Sequence, residues 1–134
     1  MSLQEKHIID IARAIRDHAY APYSKFRVGA ALVSSSEKIY QGCNVENLSF
    51  GLTMCAERIA VGAAVADGAR DFRLLAIVAD SNDPIVPCGA CRQVLAEFNP
   101  TLRIISSTLG GRTAEFHLEE LLPKPSQGIL ESST

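Results

Sequence analysis

Cys55-Ala56-Glu57 and Pro87-Cys88-Gly89-Ala90-Cys91 are the two stretches around which the rest of this 134-residue chain can be organised. They supply three thiols and one carboxylate. Thiolates are good ligands for Zn²⁺, and a catalytic zinc site has three protein ligands with one position open for water. A carboxylate beside that water can transfer protons. The two stretches therefore predict a catalytic zinc centre with Cys55, Cys88 and Cys91 as ligands and Glu57 as the proton carrier.

Helix geometry restricts how the two stretches can meet. Cys88 and Cys91 are three positions apart, so they share one face of a helical turn. Cys55 and Glu57 are two positions apart, which on a regular helix separates their directions by roughly 200°. Both can face one ion only if Cys55 lies at the helix start, near the N-cap. We therefore expect two helix N-termini to lie side by side at one end of a sheet.

The hydrophobic pattern alternates between helical and strand periods along the whole chain. The predicted helices span 2–19, 53 to about 66, 88–98 and 119–122, with Thr53 as the cap of the second. The predicted strands span 27–33, 38–44, 72–79, 102–106 and 114–116. Ser2 and Glu5 have capping-box spacing. The apolar face predicted for the first helix comprises Ile8, Ile11, Ala12, Ile15 and Ala19. This alternation predicts a single three-layer α/β domain over residues 1–134, with 124–134 as a loosely held tail.

Composition excludes several classes of function. The formal net charge is −2 and no block of like charge is longer than a pair, which argues against a nucleic-acid partner. No stretch approaches the roughly 20 apolar residues that cross a bilayer, and the first residues do not resemble a signal peptide. We therefore expect a cytoplasmic protein with neither a nucleic-acid nor a membrane partner, whose four cysteines stay reduced.

The charge of the predicted centre requires compensation. Three thiolates around Zn²⁺ leave a net negative complex, which is a poor activator of water. Two helix N-termini would each contribute about half a positive charge. Arg58 is the first candidate to donate hydrogen bonds to sulfur and Gln93 a weaker one, whereas we expect Arg92 to be a surface residue.

A closed structural zinc site is the main alternative. Cys43 would then be the fourth thiolate, and no position would remain open for water. Structural sites are more often built from two Cys-x-x-Cys pairs, and this chain has one. A closed site would also leave Glu57 without a role, so we favour the catalytic interpretation.

Several motifs in order, from Tyr20 to Pro123, resemble the small cytidine deaminases of nucleoside salvage. These motifs are Ala21–Leu32 (APYSKFRVGAAL), Gly42–Asn47 (GCNVEN), Cys55–Arg58 (CAER), Pro87–Leu95 (PCGACRQVL) and Glu119–Pro123 (EELLP). The three-cysteine zinc pattern with its glutamate is also typical of zinc nucleobase deaminases in general. The resemblance implies a three-layer α/β/α fold with a mixed five-stranded sheet.

The resemblance further implies hydrolytic deamination of cytidine and 2′-deoxycytidine to uridine and 2′-deoxyuridine, with release of ammonia and one zinc ion per subunit. Glu57 would take a proton from water, deliver it to N3 of the base and then protonate the leaving amine. Asn44 and Glu46 match the ribose-binding pair, which grips the sugar 3′-hydroxyl. Phe26 matches a phenylalanine that lines the pocket, and the Ala56 backbone amide is expected to contact the base.

Relatives of this length are usually homotetramers with shared active sites, and the small-residue helix from Cys55 to Ala66 would suit close subunit packing. The chain departs from the pattern in two places. Phe50 stands where many relatives have a tyrosine at a subunit contact, and Lys124 to Leu130 lacks the aromatic residue that closes over a neighbouring active site.

Three rival functions remain at this point. A deaminase of a cytosine-bearing antibiotic such as blasticidin S shares the zinc motifs but typically lacks the glutamate at the position of Glu46. A polynucleotide editor conflicts with the acidic charge. A zinc-stabilised interaction domain would hold metal yet leave cytidine unchanged.

Overall fold

The chain folds into alternating helices and strands, in a computed structural model that describes residues 1–125. The helices are α1 (Leu3–Arg16), α2 (Ala56–Ala66), α3 (Gly89–Phe98) and α4 (Leu118–Leu121), with a 3₁₀ turn at Phe50–Leu52. The strands are β1 (Val28–Ser34), β2 (Ile39–Cys43), β3 (Phe72–Ala79), β4 (Arg103–Thr108) and β5 (Thr113–His117). Most of the tail expected at 124–134, and most of the segment expected to lack a closing aromatic, lie outside the described residues.

The strands form one mixed sheet in the order β2-β1-β3-β4-β5. Strands β3 and β4 are parallel and α3 connects them, whereas the other three pairings are antiparallel. β3 is the central strand and is almost wholly buried, as its unbroken apolar run predicts. The mixed five-stranded sheet expected from the sequence is confirmed.

Two hydrophobic clusters cover opposite faces of this sheet. On one face Ile8, Ile9 and Ala12 of α1 pack against β1, β3 and β4. On the other face α2 and α3 pack over a larger cluster that includes Ala60, Leu95 and the opposite sides of the same strands. The domain is therefore a three-layer α/β/α sandwich, as predicted.

The first helix differs from its predicted extent. Ser2 and Glu5 form the predicted capping box, but the helix ends at Arg16 rather than at residue 19. Arg16 turns inward, where its Nη1 atom donates to Asp80 Oδ1 at 2.5 Å, and Tyr20 is held in a bridge with Val45. The buried face consequently includes Ile9 and Arg16, whereas Ile11, Ile15 and Ala19 are only partly buried.

The second helix begins at Ala56, and the prediction of Thr53 as its cap is wrong. Met54 forms an antiparallel bridge with Val45, which keeps the chain extended up to the helix start. The Thr53 hydroxyl accepts a hydrogen bond from Asn47 N at 3.3 Å instead of capping the helix. The helix cap is Cys55.

Gly42 fixes the position of α2 on the sheet. A Cβ atom at this position would lie 2.3 Å from the Ala56 carbonyl oxygen and 2.6 Å from Ala60 N. The first turn of α2 therefore rests directly on the backbone of β2, and only glycine permits this approach.

Among the described residues, no helix is both long enough and apolar enough to cross a membrane.

Candidate metal centre

Two neighbouring helix starts carry the three candidate ligands. Cys55 is the N-cap of α2 with extended backbone angles (φ −72°, ψ 152°), which confirms the prediction drawn from its spacing to Glu57. Cys88 is the N-cap of α3 in a similar conformation (φ −64°, ψ 167°), and Cys91 follows in the first turn. Neither capping cysteine accepts a side-chain cap hydrogen bond. Unpaired backbone N–H groups of two helix ends thus lie near the sulfurs.

The spacing of the sulfur atoms fits a zinc ion. Cys55 Sγ lies 3.9 Å from Cys88 Sγ, which lies 3.4 Å from Cys91 Sγ, and all three are within 4.8 Å of one another. A tetrahedral zinc with Zn–S bonds of about 2.3 Å places its ligands roughly 3.8 Å apart. Within residues 1–125, Cys43 does not join this cluster. The closed four-cysteine site therefore has no fourth thiolate.

The cluster favours the ionised form of one cysteine. Hydrogen bonds lower the pKa of Cys55 to about 5; the largest contribution comes from Cys91, and smaller ones come from Arg58 and Cys88. The hydrogen bond between Cys55 and Cys91 has the opposite effect on Cys91, whose pKa it raises, and burial of Cys91 raises that pKa further. Cys55 is therefore a thiolate at neutral pH, the form in which cysteine binds metal.

Arg58 makes the sulfur contact expected of it. Its Nη2 atom lies 3.5 Å from Cys55 Sγ and also donates to the Thr53 carbonyl oxygen at 3.3 Å. Arg92 does not contact sulfur among the described residues: its Nε atom donates to Pro87 O and its Nη1 atom to Leu121 O. The Gln93 amide donates to Pro125 O at 3.4 Å, so its expected role beside the sulfurs gains no support.

Glu57 is the second residue of α2 and is only 4% exposed. Burial raises the pKa of its carboxyl to about 7, and the charge of Cys55 adds to this effect. A carboxyl that titrates near neutral pH can both accept and donate a proton during one reaction cycle.

A cavity of about 210 Å³ opens beside the cluster. Cys55, Cys88 and Glu57 line one part of this cavity. The residues predicted to bind substrate that also line it are Phe26, Asn44 and Ala56. Four further lining residues were not identified from the sequence: Val28, Thr53, Ile85 and Val86. Ile85 and Val86 directly precede Pro87-Cys88, and that position was the one available signal for them. A larger groove of about 340 Å³ over β4 and β5 contains none of the thiols, so chemistry rather than volume identifies the site.

The predicted sugar-binding pair binds the chain itself in this structure. Asn44 is 7% exposed; its Oδ1 atom accepts from Val28 N at 2.9 Å and its Nδ2 atom donates to Phe26 O at 2.8 Å. The Glu46 carboxylate accepts from the backbone N–H groups of Tyr23 and Ser24 at 3.0 and 3.1 Å. Asn44 lines the cavity, and Glu46 lies outside its wall.

A thiolate centre that is open toward a cavity differs from one that only crosslinks the chain. Here a buried proton carrier lies next to the ligands, and apolar side chains enclose the space in front of them. Such a centre activates water against a small bound molecule. The fold and the site together define a zinc-dependent hydrolytic enzyme.

Comparison with known proteins identifies the family within this class. A family model described as "Cytidine and deoxycytidylate deaminase zinc-binding region" matches residues 2–107. The chain belongs to this family of zinc-dependent deaminases.

Individual relatives agree with this assignment. A cytidine deaminase of Sporosarcina psychrophila is 50% identical over 120 residues, which cover 89% of this chain and 88% of the relative. The crystal structure of cytidine deaminase from Burkholderia pseudomallei superposes with a TM-score of 0.86 at 46% identity, covering 92% of this chain and 98% of the other. A blasticidin-S deaminase of Bacillus cereus is 28% identical over 131 residues, covering 92% of each chain.

Proposed function

We propose that this protein is a cytidine deaminase, which hydrolyses cytidine and 2′-deoxycytidine to uridine and 2′-deoxyuridine with release of ammonia. The observation that carries the proposal is the buried carboxyl of Glu57 beside three convergent thiols at an open cavity. Relatives that share 44 to 50% identity over most of the chain support the substrate. We place the reaction in pyrimidine salvage in the cytoplasm.

Cys55, Cys88 and Cys91 would hold the catalytic metal. Zn²⁺ bound there would supply a water that ionises near neutral pH. Arg58 donates to the Cys55 sulfur and reduces the negative charge that three thiolates would otherwise impose on the site.

Glu57 moves the protons of the reaction. As the water oxygen bonds to C4 of the base, the carboxylate accepts the water proton and passes it to N3. A tetrahedral carbon results, and Glu57 next takes the remaining proton from the new C4 hydroxyl and delivers it to the exocyclic amine. The C4–N bond then breaks, the C4 oxygen becomes a carbonyl, and the amine leaves as ammonia. Burial raises the pKa of this carboxyl above its ordinary value, which helps it to hold each proton between acceptor and donor.

The base is held by the start of α2 and by apolar walls. The Ala56 N–H lies in the first helical turn, where it has no partner within the helix and can donate to the base. Phe26, Ile85 and Val86 enclose the ring. This arrangement orients C4 toward the metal centre.

Asn44 and Glu46 retain hydrogen-bonding capacity for the sugar. A carboxylate offers about four acceptor positions, and the three bonds that Tyr23 and Ser24 donate to Glu46 leave one. The Asn44 amide likewise keeps one N–H group and one lone pair. Both residues can therefore bind the 3′-hydroxyl while they hold the neighbouring loop.

We further propose a homotetramer with shared active sites. Leu48, Phe50 and Leu52, between β2 and α2, are 79%, 73% and 66% exposed, and they directly precede the cavity residues Thr53 and Cys55. Three large apolar side chains exposed within five residues favour a protein interface at this segment. Phe50 packs edge-on against Tyr23 with ring centroids 5.9 Å apart, without the hydroxyl that many relatives carry. Light scattering on the purified protein tests the assembly, and an active monomer would contradict it.

One assay tests the catalytic proposal. The protein is incubated with cytidine, 2′-deoxycytidine, cytosine and blasticidin S, the absorbance change is followed, and bound zinc is quantified. We expect turnover of both nucleosides with one zinc per subunit. Preferential turnover of blasticidin S would indicate an antibiotic deaminase instead. Bound zinc without any turnover would identify an interaction domain.

A further inference from the structure

The hydroxyl of Ser24 connects two residues of the proposed substrate site. It donates to the Glu46 carboxylate and accepts a hydrogen bond from Phe26 N at 3.0 Å. The Ser24 N–H donates to the same carboxylate at 3.1 Å. These hydrogen bonds hold the pKa of Glu46 below its usual range, and the bond from the Ser24 hydroxyl contributes most. The carboxylate is therefore ionised at neutral pH.

The peptide groups of Phe26 are fixed from both sides. Ser24 Oγ binds the Phe26 N–H, and Asn44 Nδ2 donates to the Phe26 carbonyl oxygen at 2.8 Å. Lys25, between Ser24 and Phe26, has a φ of 60°, in the left-handed region that lysine rarely adopts. The turn at Lys25 therefore depends on the contacts around it, and the Ser24 hydroxyl supplies one of them.

Ser24 itself is exposed and is not part of the cavity wall. Its influence on the reaction must pass through Glu46, on the sugar side, because Asn44 still holds the Phe26 carbonyl oxygen when the Ser24 hydroxyl is absent. We infer that Ser24 is a positioning residue, which holds the Glu46 carboxylate toward the sugar 3′-hydroxyl. This inference rests on the proposed function, in which Glu46 binds the sugar.

Loss of the hydroxyl would have a selective effect. In Ser24→Ala, one Glu46 oxygen loses its donor and the Phe26 N–H loses its acceptor, so the carboxylate can turn away from the sugar. The metal cluster has no contact with Ser24, so zinc binding and the proton transfers of Glu57 are unaffected. The loss should therefore fall on KM, and only on substrates that carry the 3′-hydroxyl.

The experiment compares cytidine with 3′-deoxycytidine as substrates of the wild-type, Ser24→Ala, Ser24→Thr and Ser35→Ala proteins. Ser35→Ala is the matched control, because Ser35 is exposed and makes no side-chain hydrogen bond in the described part of the chain. We expect Ser24→Ala to raise KM for cytidine by about tenfold with kcat nearly unchanged, and to leave KM for 3′-deoxycytidine close to the wild-type value. Ser24→Thr, which keeps the hydroxyl, should restore the preference. An equal loss on both substrates, or wild-type kinetics on both, would overturn the inference.

A Glu46→Gln variant separates this inference from the function on which it rests. Glutamine can keep the bonds from the Tyr23 and Ser24 backbones but removes the charge offered to the sugar. If Glu46→Gln reduces the preference for cytidine and Ser24→Ala does not, Ser24 has no positioning role and the sugar assignment stands. If neither variant changes the preference, Glu46 does not bind the 3′-hydroxyl, and both conclusions fail.

Discussion

Arg58 Nη2 lies 3.5 Å from the Sγ atom of Cys55, three residues earlier in the chain. The same nitrogen is held by the Thr53 carbonyl oxygen at 3.3 Å. A fixed cation thus borders the cysteine cluster, whose sulfurs would all be anionic as ligands of a metal. This contact links the extended segment before α2 to the first turn of that helix, which carries the proposed catalytic residue Glu57.

Replacing Arg58 with glutamine should weaken the centre. The variant removes the positive charge and the sulfur contact, and outer partners of a metal ligand typically contribute about 10- to 100-fold in metal affinity or activity. Zinc retention against a chelator and kcat on cytidine measure the effect. Arg13→Gln, which removes a surface pair with Asp10, is the control. Equal zinc retention and turnover in both variants would contradict the role of Arg58.

Glu57→Gln should keep the fold and the zinc but lose most of the rate. Glutamine fills the same space and cannot carry the proton, so kcat should fall by about 10²- to 10⁴-fold. Steady-state kinetics and zinc content are measured on the same sample. The same substitution at the exposed Glu97 of α3 should leave both unchanged. Near-normal turnover in Glu57→Gln would remove Glu57 from the mechanism.

Cys43→Ser and Cys91→Ser should differ in metal content. Cys43 ends β2 outside the sulfur cluster, whereas Cys91 is fully buried within it. We expect Cys43→Ser to retain about one zinc per subunit and Cys91→Ser to lose it. Metal analysis after dialysis gives the answer. Loss of zinc from Cys43→Ser would revive the closed-site interpretation.

Gly42→Ala should destabilise the protein and disturb the start of α2. The added methyl group would overlap backbone atoms of Ala56 and Ala60, which cannot move aside without shifting the helix. The expected cost is about 3 kcal/mol, at the upper end of overpacking effects. Thermal unfolding of the zinc-loaded protein measures it. Gly110→Ala is the control, since its methyl group would lie 3.8 Å from the nearest atom outside the adjoining residues, Thr108 Oγ1.

Acid should remove the contribution of Glu5 to stability. Hydrogen bonds from the Ser2 backbone and from Arg103 lower the pKa of Glu5 in the folded protein. Stability from such a carboxyl is fully present above its unfolded pKa, about 4.3, and is lost as pH falls through the folded value. Glu5→Gln should therefore cost about 1 kcal/mol at pH 7 and less below about pH 5.

Unfolding temperatures at several pH values test this prediction, with Glu97→Gln as the control for a surface carboxyl. A Glu5→Gln difference that stays constant down to pH 4, or grows, would contradict the assigned hydrogen bonds.

Local chemistry explains which parts of the site were predictable. The three thiols could be identified because the spacing of Cys88 and Cys91 is typical of metal ligands. The position of Cys55 at the N-cap follows from the angle between side chains two positions apart on a helix. The strand Phe72–Ala79 was predicted with its observed bounds, because burial on both faces leaves an unbroken apolar run.

Contacts between distant segments explain the errors. Thr53 is a better intrinsic helix cap than Cys55, but the bridge between Val45 and Met54 holds the preceding segment extended. Ile85 and Val86 line the cavity together with Cys55 and Ala56 at the start of α2, and their position before Pro87-Cys88 is the only local sign of this contact. The bonds of Asn44 to Phe26 and Val28 likewise depend on pairing of segments far apart in the chain.

Gly29 and Gly42 lie on neighbouring rungs of the β1–β2 pair, where Gly29 is opposite Cys43 and Gly42 is opposite Ala30. A Cβ atom at Gly29 would lie 1.9 Å from the Ala12 carbonyl oxygen of α1, just as one at Gly42 would overlap α2. In a saturation library these two codons should accept glycine alone, even though neither residue touches a substrate. A screen for altered specificity would therefore gain most by leaving both unchanged and diversifying the loops around the cavity.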